Sequence, residues 1–207
     1  MRSIIKRTAM FVVIGAVAVS CSTPKTKTIE NLKEAITGES NASHTYKAFS
    51  ARAAQDGFPN IAKMFAAAAE AEAIHVNNHN AVLVKYGQPA FTARLETPVV
   101  ADMISNLEAA IEGETYEFEV MYPAFLADAA AEKARDAITS FTWARDSEQT
   151  HARQYTKVLN ILRTTGSDAT VSSTWYTCAK CGDLFDTIQN VSSCPLCAAS
   201  SSTFLRF

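Results

Sequence analysis

One segment of the sequence occurs twice. Ile29-Glu30-Asn31-Leu32-Lys33-Glu34-Ala35-Ile36-Thr37-Gly38-Glu39 returns as Ile104-Ser105-Asn106-Leu107-Glu108-Ala109-Ala110-Ile111-Glu112-Gly113-Glu114, at an offset of 75. Tyr46-Lys47-Ala48-Phe49 then matches Tyr122-Pro123-Ala124-Phe125, and His75 matches His151, now at an offset of 76. Each copy holds two stretches in which apolar or ligand-type residues recur at steps of three and four. The first copy gives Ile29, Leu32, Ile36, Glu39, Ser43, Tyr46 and then Ile61, Phe65, Ala68, Glu72, His75, His79, Val82, Tyr86. The second gives Val100, Ile104, Leu107, Ile111, Glu114, Phe118, Met121, Phe125 and then Phe141, Ala144, Glu148, His151, Tyr155, Val158, Leu162. Such spacing lays each set along one helix face. The expectation is a duplicated helical hairpin, hence an all-α bundle of four helices of about 25 residues each. With only 7 Gly and 6 Pro in 207 residues, long helices are favoured over a turn-rich β fold.

The change of offset from 75 to 76 puts one extra residue between Glu114 and Tyr122. A helix absorbs such a residue as a π-bulge, predicted here around Glu117 to Tyr122, with Pro123 kinking the same helix. Gly57-Phe58-Pro59 ends the first helix and opens the second, and a second turn is expected at Ala131 to Lys133. The dozen residues from Gly87 to Pro98 reach about 40 Å when extended. That equals the length of a 27-residue helix at about 1.5 Å per residue, so a crossover can run the whole bundle.

Charged residues avoid a buried seam unless something holds them there. Glu39, Glu72, His75, Glu114, Glu148 and His151 nevertheless lie on the seams, with Glu117 beside one. Glu72-x-x-His75 and Glu148-x-x-His151 each stack a carboxylate and an imidazole one turn apart. Counting from the two turns places all seven side chains at one height. Buried carboxylates in mutual contact stay ionised only when cations neutralise them, and two divalent metals do so. One Glu from each of two helices plus two Glu-x-x-His pairs is the dimetal-carboxylate pattern. Tyr46 and Tyr122, at equivalent repeat positions, are placed to donate hydrogen bonds to the ligand carboxylates or to pack in the core. His79 reads as a hydrogen-bonded core histidine and His44 as peripheral.

Four of the 5 Cys fall after Thr177: Cys178-Ala179-Lys180-Cys181 and Cys194-Pro195-Leu196-Cys197. Two C-x-x-C pairs signal a tetrathiolate site, in which zinc and iron fit equally; disulfides are the alternative for an exported chain. The module has too few large apolar residues to fold alone, so the metal would supply much of its stability.

Glu39, Glu72-x-x-His75, Glu114-x-x-Glu117, Met121-Tyr122-Pro123, Glu148-x-x-His151 and the four cysteines together resemble the rubrerythrin family, over roughly residues 28 to 207. The resemblance implies a four-helix ferritin-like bundle at 28–165, a linker at 166–174 and a small rubredoxin-like knuckle domain at 175–207. It implies two iron ions in a diiron site and one iron in the tetrathiolate site. The implied activity is reduction of hydrogen peroxide to water, a defence against oxidative stress, with electrons passing through the tetrathiolate iron from a donor the sequence does not identify. A head-to-tail homodimer is also implied, and so is exchange of His75 with Glu114 as a ligand. Asp183-Leu184 departs from the family, which usually carries an aromatic residue after the second knuckle cysteine. A ferroxidase or iron-storage bundle, and a binding module with structural zinc, are the rival functions.

Arg2, Lys6 and Arg7 precede an apolar stretch, Thr8 to Val19, shaped like a secretory signal over residues 1–20. Ala18-Val19-Ser20-Cys21 resembles a lipoprotein box, so Cys21 is the expected lipidation site and 21–27 a tether. The chain is then expected outside the cytoplasm, facing the periplasm or cell exterior and held to the membrane only by its lipid. Without those three cations, 16 basic residues face 21 acidic ones, a net of about −5. That balance excludes a nucleic-acid binder, which needs a cationic face.

Overall fold

The computed structural model describes residues 24–207; the signal segment and Cys21 lie outside the described residues. The two hairpins form as the periodicity requires. Helix α1 spans Thr26–Gln55 and α2 spans Pro59–Lys85, joined through Gly57 at φ +83°. Helix α3 spans Met103–Tyr116, a π-helical segment follows at Glu117–Met121, and α4 spans Tyr122–Ala131. Helix α5 spans Arg135–Thr165. The π segment sits where the inserted residue had to be absorbed. Pro123 falls in the first turn of α4, where the absent N–H is tolerated.

The expected seams of α1, α2 and α5 are turned inward, from Leu32, Ile36 and Tyr46 to Phe141, Tyr155 and Leu162. The third seam is wrong at its start, because Val100 and Ile104 are 38% and 36% exposed. Asp102 caps the helix by accepting from the Ser105 N–H at 3.0 Å, so α3 begins at Met103; Leu107 is buried as expected, and Met103 and Ala110 join it in place of Val100 and Ile104.

Residues 87–102 form the crossover, and side-chain amides hold it against the helices. Asn80 clasps Phe91 by accepting its N–H at 2.7 Å and donating to its carbonyl at 3.1 Å. Asn41 accepts from the Glu96 N–H and Asn106 from the Ala101 N–H. At its far end Asp102 lines a pocket with Arg52, Phe58 and Gly166. Helix α3 therefore starts at the bundle end where α2 starts, and the connection runs the bundle's full length, which is ferritin-like order.

Two apolar clusters fill the bundle. Phe49, Phe65, Leu107 and Tyr155 belong to one, and Leu32, Ile36, Leu83 and Phe141 to the other. Along α1, α2 and α5, and along the stretch from α3 through the π segment to α4, the buried acidic and histidine ligand positions fall between them. Strands β1 (Tyr176–Thr177), β2 (Leu184–Phe185) and β3 (Leu205–Arg206) form an antiparallel sheet in the order β2-β1-β3. This module docks on the bundle: Trp175 is buried in the first cluster, and the Thr177 hydroxyl donates to the Ala67 carbonyl at 2.9 Å. The segment leading to it is also anchored, since Asp168 accepts from the N–H groups of Asn60 and Ile61 at 2.6 and 3.2 Å. It thereby caps α2, whose own N-cap residue Phe58 cannot. Among the described residues, no helix is long and apolar enough to cross a membrane.

Candidate metal centres

Helices α1, α2, α3 and α5 each bring carboxylates or histidines to the layer between the apolar clusters. Glu39, Glu72, His75, Glu114, Glu148 and His151 are each no more than 2% exposed. Their ligand atoms fall into two groups, Glu39-Glu72-His75-Glu148 and Glu72-Glu114-Glu148-His151, each within 4.8 Å. The sequence repeat maps one group onto the other: Glu39 onto Glu114, Glu72 onto Glu148, His75 onto His151. Glu72 and Glu148 are shared, as bridging carboxylates are.

Both imidazoles have one defined tautomer. His75 Nε2 lies 2.9 Å from the Cys181 carbonyl and His151 Nε2 lies 3.1 Å from the Gly182 carbonyl. A carbonyl only accepts, so each Nε2 carries the proton and each Nδ1 turns a lone pair inward. His75 Nδ1 is 2.9 Å from Glu72 and 2.8 Å from Glu148; His151 Nδ1 is 2.7 Å from Glu148. None of these inward atoms makes a hydrogen bond: Glu39 Oε2, both oxygens of Glu72 and Glu148, and both Nδ1 atoms are buried without a partner. Orphaned donors and acceptors at this density are costly unless a cation takes their lone pairs, so the residues fit a pair of metals.

Electrostatics point the same way. Burial, and next the Glu148 carboxylate, push Glu39 up to about 8. Burial and the Glu72 and Glu148 charges hold Glu114 well above the carboxylate range. Burial resists a charge on His75 and His151, yet Glu148 outweighs it and both are raised. Burial likewise opposes ionisation of Glu72, but His151 and His75 bring it down to about 2. Without cations the cluster must therefore gather protons.

Tyr122 donates to Glu39, and Tyr46 donates to Glu114 at 2.7 Å, so each tyrosine serves the glutamate of the other repeat. Glu117 belongs to neither tight group. It sits on the π segment, half-buried, with Oε1 3.6 Å from where a Cβ on Gly38 would stand. Burial and then the Glu39 charge raise it well above the ordinary range. Glu114 lies in the group of His151, and Glu117 stands outside both. His79 is fully buried and held down to about 3 by burial and then by His75.

The four cysteines are buried free thiols whose sulfurs all lie within 4.8 Å of one another. Cys178 and Cys197, and Cys181 and Cys194, are 3.5 Å apart. Disulfide sulfurs would be about 2.05 Å apart. A tetrahedral ion with bonds of about 2.3 Å spaces its sulfurs about 3.8 Å apart, so the set fits a tetrathiolate metal. Asp183, at the position of the sequence departure, is 2% exposed and accepts from Cys194 Sγ at 3.8 Å; burial raises its carboxyl to about 6.

Gly182 joins the two centres. Its φ is +86°, and a Cβ there would lie 2.3 Å from His75 Nε2 and 3.1 Å from the Ala71 carbonyl. Only glycine brings the knuckle backbone down onto both histidines.

Fold and sites define a class: a four-helix bundle with a dimetal-carboxylate core and an appended tetrathiolate knuckle. The family model described as Rubrerythrin matches residues 30–159. Nigerythrin of Nitratidesulfovibrio vulgaris is 33% identical over 184 residues, 87% of this chain and 86% of that protein. Rubrerythrin-2 of Clostridium acetobutylicum is 30% identical over 181 residues, 87% of this chain and 96% of that protein. A solved structure of nigerythrin in its fully reduced, all-ferrous state superposes with a TM-score of 0.78 at 32% identity, covering 92% of this chain and 91% of that one. A bacterioferritin of Desulfovibrio desulfuricans, at 21% identity and TM-score 0.65 over 69% of this chain and 83% of that one, shares the bundle fold. The chain belongs to the rubrerythrin family.

Proposed function

We propose that this chain is a peroxidase that reduces hydrogen peroxide to water at a diiron pair, with electrons delivered through iron bound by Cys178, Cys181, Cys194 and Cys197. The observation that carries this reading is the pair of hydrogen bonds from His75 and His151 to the carbonyls of Cys181 and Gly182. A storage bundle has no need of a thiolate centre seated on its ligand histidines, and a structural zinc knuckle has no need to sit there. Iron is supported by the all-ferrous nigerythrin relative.

When bound, the two irons supply Lewis acidity and electrons for cleavage of the O–O bond. The protein's own part is to hold the donors in place. The carbonyls of Cys181 and Gly182 fix both imidazole tautomers, and the Tyr46 and Tyr122 hydroxyls orient Glu114 and Glu39. Near-complete burial keeps bulk water off the carboxylates and strengthens their field. Glu117, on the π segment and half-buried, stands outside both tight donor groups and is the carboxylate placed to join them.

Export and a lipid anchor at Cys21 are part of the same proposal, and mass spectrometry of the membrane fraction tests them. Head-to-tail pairing is proposed on the family resemblance. In such a pair the thiolate iron of one subunit would also lie near the diiron pair of the other; sedimentation reads the assembly state. The function itself is tested by mixing the anaerobically reduced, iron-loaded protein with peroxide and, separately, with oxygen, following tetrathiolate absorbance. Much faster colour recovery with peroxide is expected. Preference for oxygen would move the chain to a ferroxidase role, and a colourless protein would mean zinc or disulfides and no relay.

A further inference from the structure

Peroxide reduction consumes protons as well as electrons, and the electron side of the site is the face covered by Cys181 and Gly182. Beside the knuckle, farther along α2 and α5, a second set of polar contacts leads outward past Asn78, which donates to the Lys180 carbonyl at 2.9 Å. Tyr122 donates its hydroxyl proton to Glu39 Oε1. Its oxygen must then accept from His79 Nε2, which lies 3.1 Å away, so Nε2 carries the imidazole proton. His79 Nδ1 is therefore bare and accepts from the Ser140 hydroxyl at 2.8 Å. Ser140 in turn lines a surface pocket of about 270 Å³ with Asn78, Lys85, Asp136 and Trp143. Every donor in this series points the same way, from the pocket to a ligand carboxylate.

The duplicated half is an internal control. The repeat maps Tyr122 onto Tyr46, His79 onto Tyr155 and Ser140 onto Met64. Tyr46 still donates to Glu114, but the Tyr155 hydroxyl is buried without a hydrogen-bond partner, and Met64 offers neither donor nor acceptor. The glutamate contact is thus common to both halves, and the outward connection belongs to one.

We propose that Ser140, His79 and Tyr122 form a proton-delivery chain from this surface pocket to Glu39. The proposal rests on the peroxidase reading, in which one peroxide takes two electrons from the donor and two protons from solvent to give two waters. In each passage the Tyr122 O–H breaks as a Glu39 O–H forms, and the His79 Nε2–H breaks as a Tyr122 O–H forms. The Ser140 O–H breaks as an Nδ1–H forms, and a hydrated proton in the pocket restores Ser140. No electron moves along this path, and rotation of the two hydroxyls and the ring resets it. Ser140, His79 and Tyr122 are positioning and relay residues, since none of them ligates metal.

Two measurements test the chain. The full-length protein loaded with zinc and labelled with nitrogen-15 histidine is read by NMR; with 4 His in the sequence, the His79→Gln spectrum assigns the signal. A neutral ring protonated on Nε2 is expected, and a proton on Nδ1 would overturn the proposed direction of transfer. Second, the reduced, iron-loaded variants His79→Gln and Ser140→Ala are mixed with peroxide. Glutamine keeps both hydrogen bonds but cannot pass a proton through. Both variants should retain full iron content and react at least roughly tenfold more slowly than wild type, with a larger heavy-water effect; Tyr155→Phe should match wild type. Iron-replete variants reacting at the wild-type rate would overturn the relay alone. A wild-type protein inert to peroxide would overturn the peroxidase reading, and the relay with it.

Discussion

Replacing Gly182 by alanine sets a methyl carbon 2.3 Å from His75 Nε2, 2.8 Å from His75 Cδ2 and 3.1 Å from the Ala71 carbonyl. His75 cannot yield, because its other nitrogen faces Glu72 and Glu148 at 2.9 and 2.8 Å. The knuckle must therefore lift. Lifting forfeits the two histidine-to-carbonyl hydrogen bonds, about 1 kcal/mol each. The left-handed φ of +86° costs alanine roughly 1–2 kcal/mol more. A loss of about 3–4 kcal/mol lowers the docking equilibrium constant by roughly 10²- to 10³-fold, at about 1.4 kcal/mol per tenfold. Gly182→Ala should keep its tetrathiolate colour, because its cysteine ligands are untouched. Electron transfer from that centre to the dimetal pair, followed by stopped-flow absorbance, should slow by a comparable factor, and the 166–174 segment should become protease-sensitive. Wild-type transfer rates and wild-type protection in a fully coloured variant would show that this contact does not couple the centres.

Three further outcomes follow from the same geometry. Glu148 lies in both donor groups, so Glu148→Ala should abolish dimetal binding while leaving the tetrathiolate chromophore; metal analysis showing the pair retained would refute the assignment. Chelation of the dimetal site leaves seven buried atoms without partners, so the unfolding midpoint read by calorimetry should fall by more than about 5 °C, and an unchanged midpoint would deny the metals a structural role. His79 is held down to about 3 against an ordinary 6.5. The unfolded chain therefore binds the extra proton below about 6.5, and this residue's share of stability, on the order of a few kcal/mol, is present above that pH and lost as pH falls towards 3. Denaturant titrations of metal-free protein should show wild type losing more stability than His79→Gln between pH 7 and 4, and parallel losses would contradict this.

The bundle and its ligands are legible because they obey periods. A buried glutamate at a seam step of three or four has no apolar explanation, and its reappearance at an offset of 75 or 76 removes chance. The π segment is legible as arithmetic, one residue too many between Glu114 and Tyr122. The start of α3 misleads because apolar Val100 and Ile104 fit the spacing, whereas the capping side chain of Asp102 sets the boundary. What period cannot express is contact across the fold. Asp168 caps a helix 108 residues away, Ser140 meets His79 across 61, and Gly182 touches His75 because its module docks where nothing in the local sequence says it must. The Glu117 carboxylate stands out as a candidate in the sequence, but its side of the layer depends on the twist of the π backbone.

A chain made by doubling one hairpin would, left unaltered, hold two cations in identical surroundings. An electron or an oxidant arriving there would have no reason to prefer either. The single extra residue in the second half removes that degeneracy. It supplies Glu117 to one position, with no counterpart at the other, and replaces a stretch of α-helix with a π-helical one on that side only. Two cations held there would sit in unequal fields, and under the proposed peroxidase reading the first reducing equivalent and the first bond to oxidant would have a preferred address.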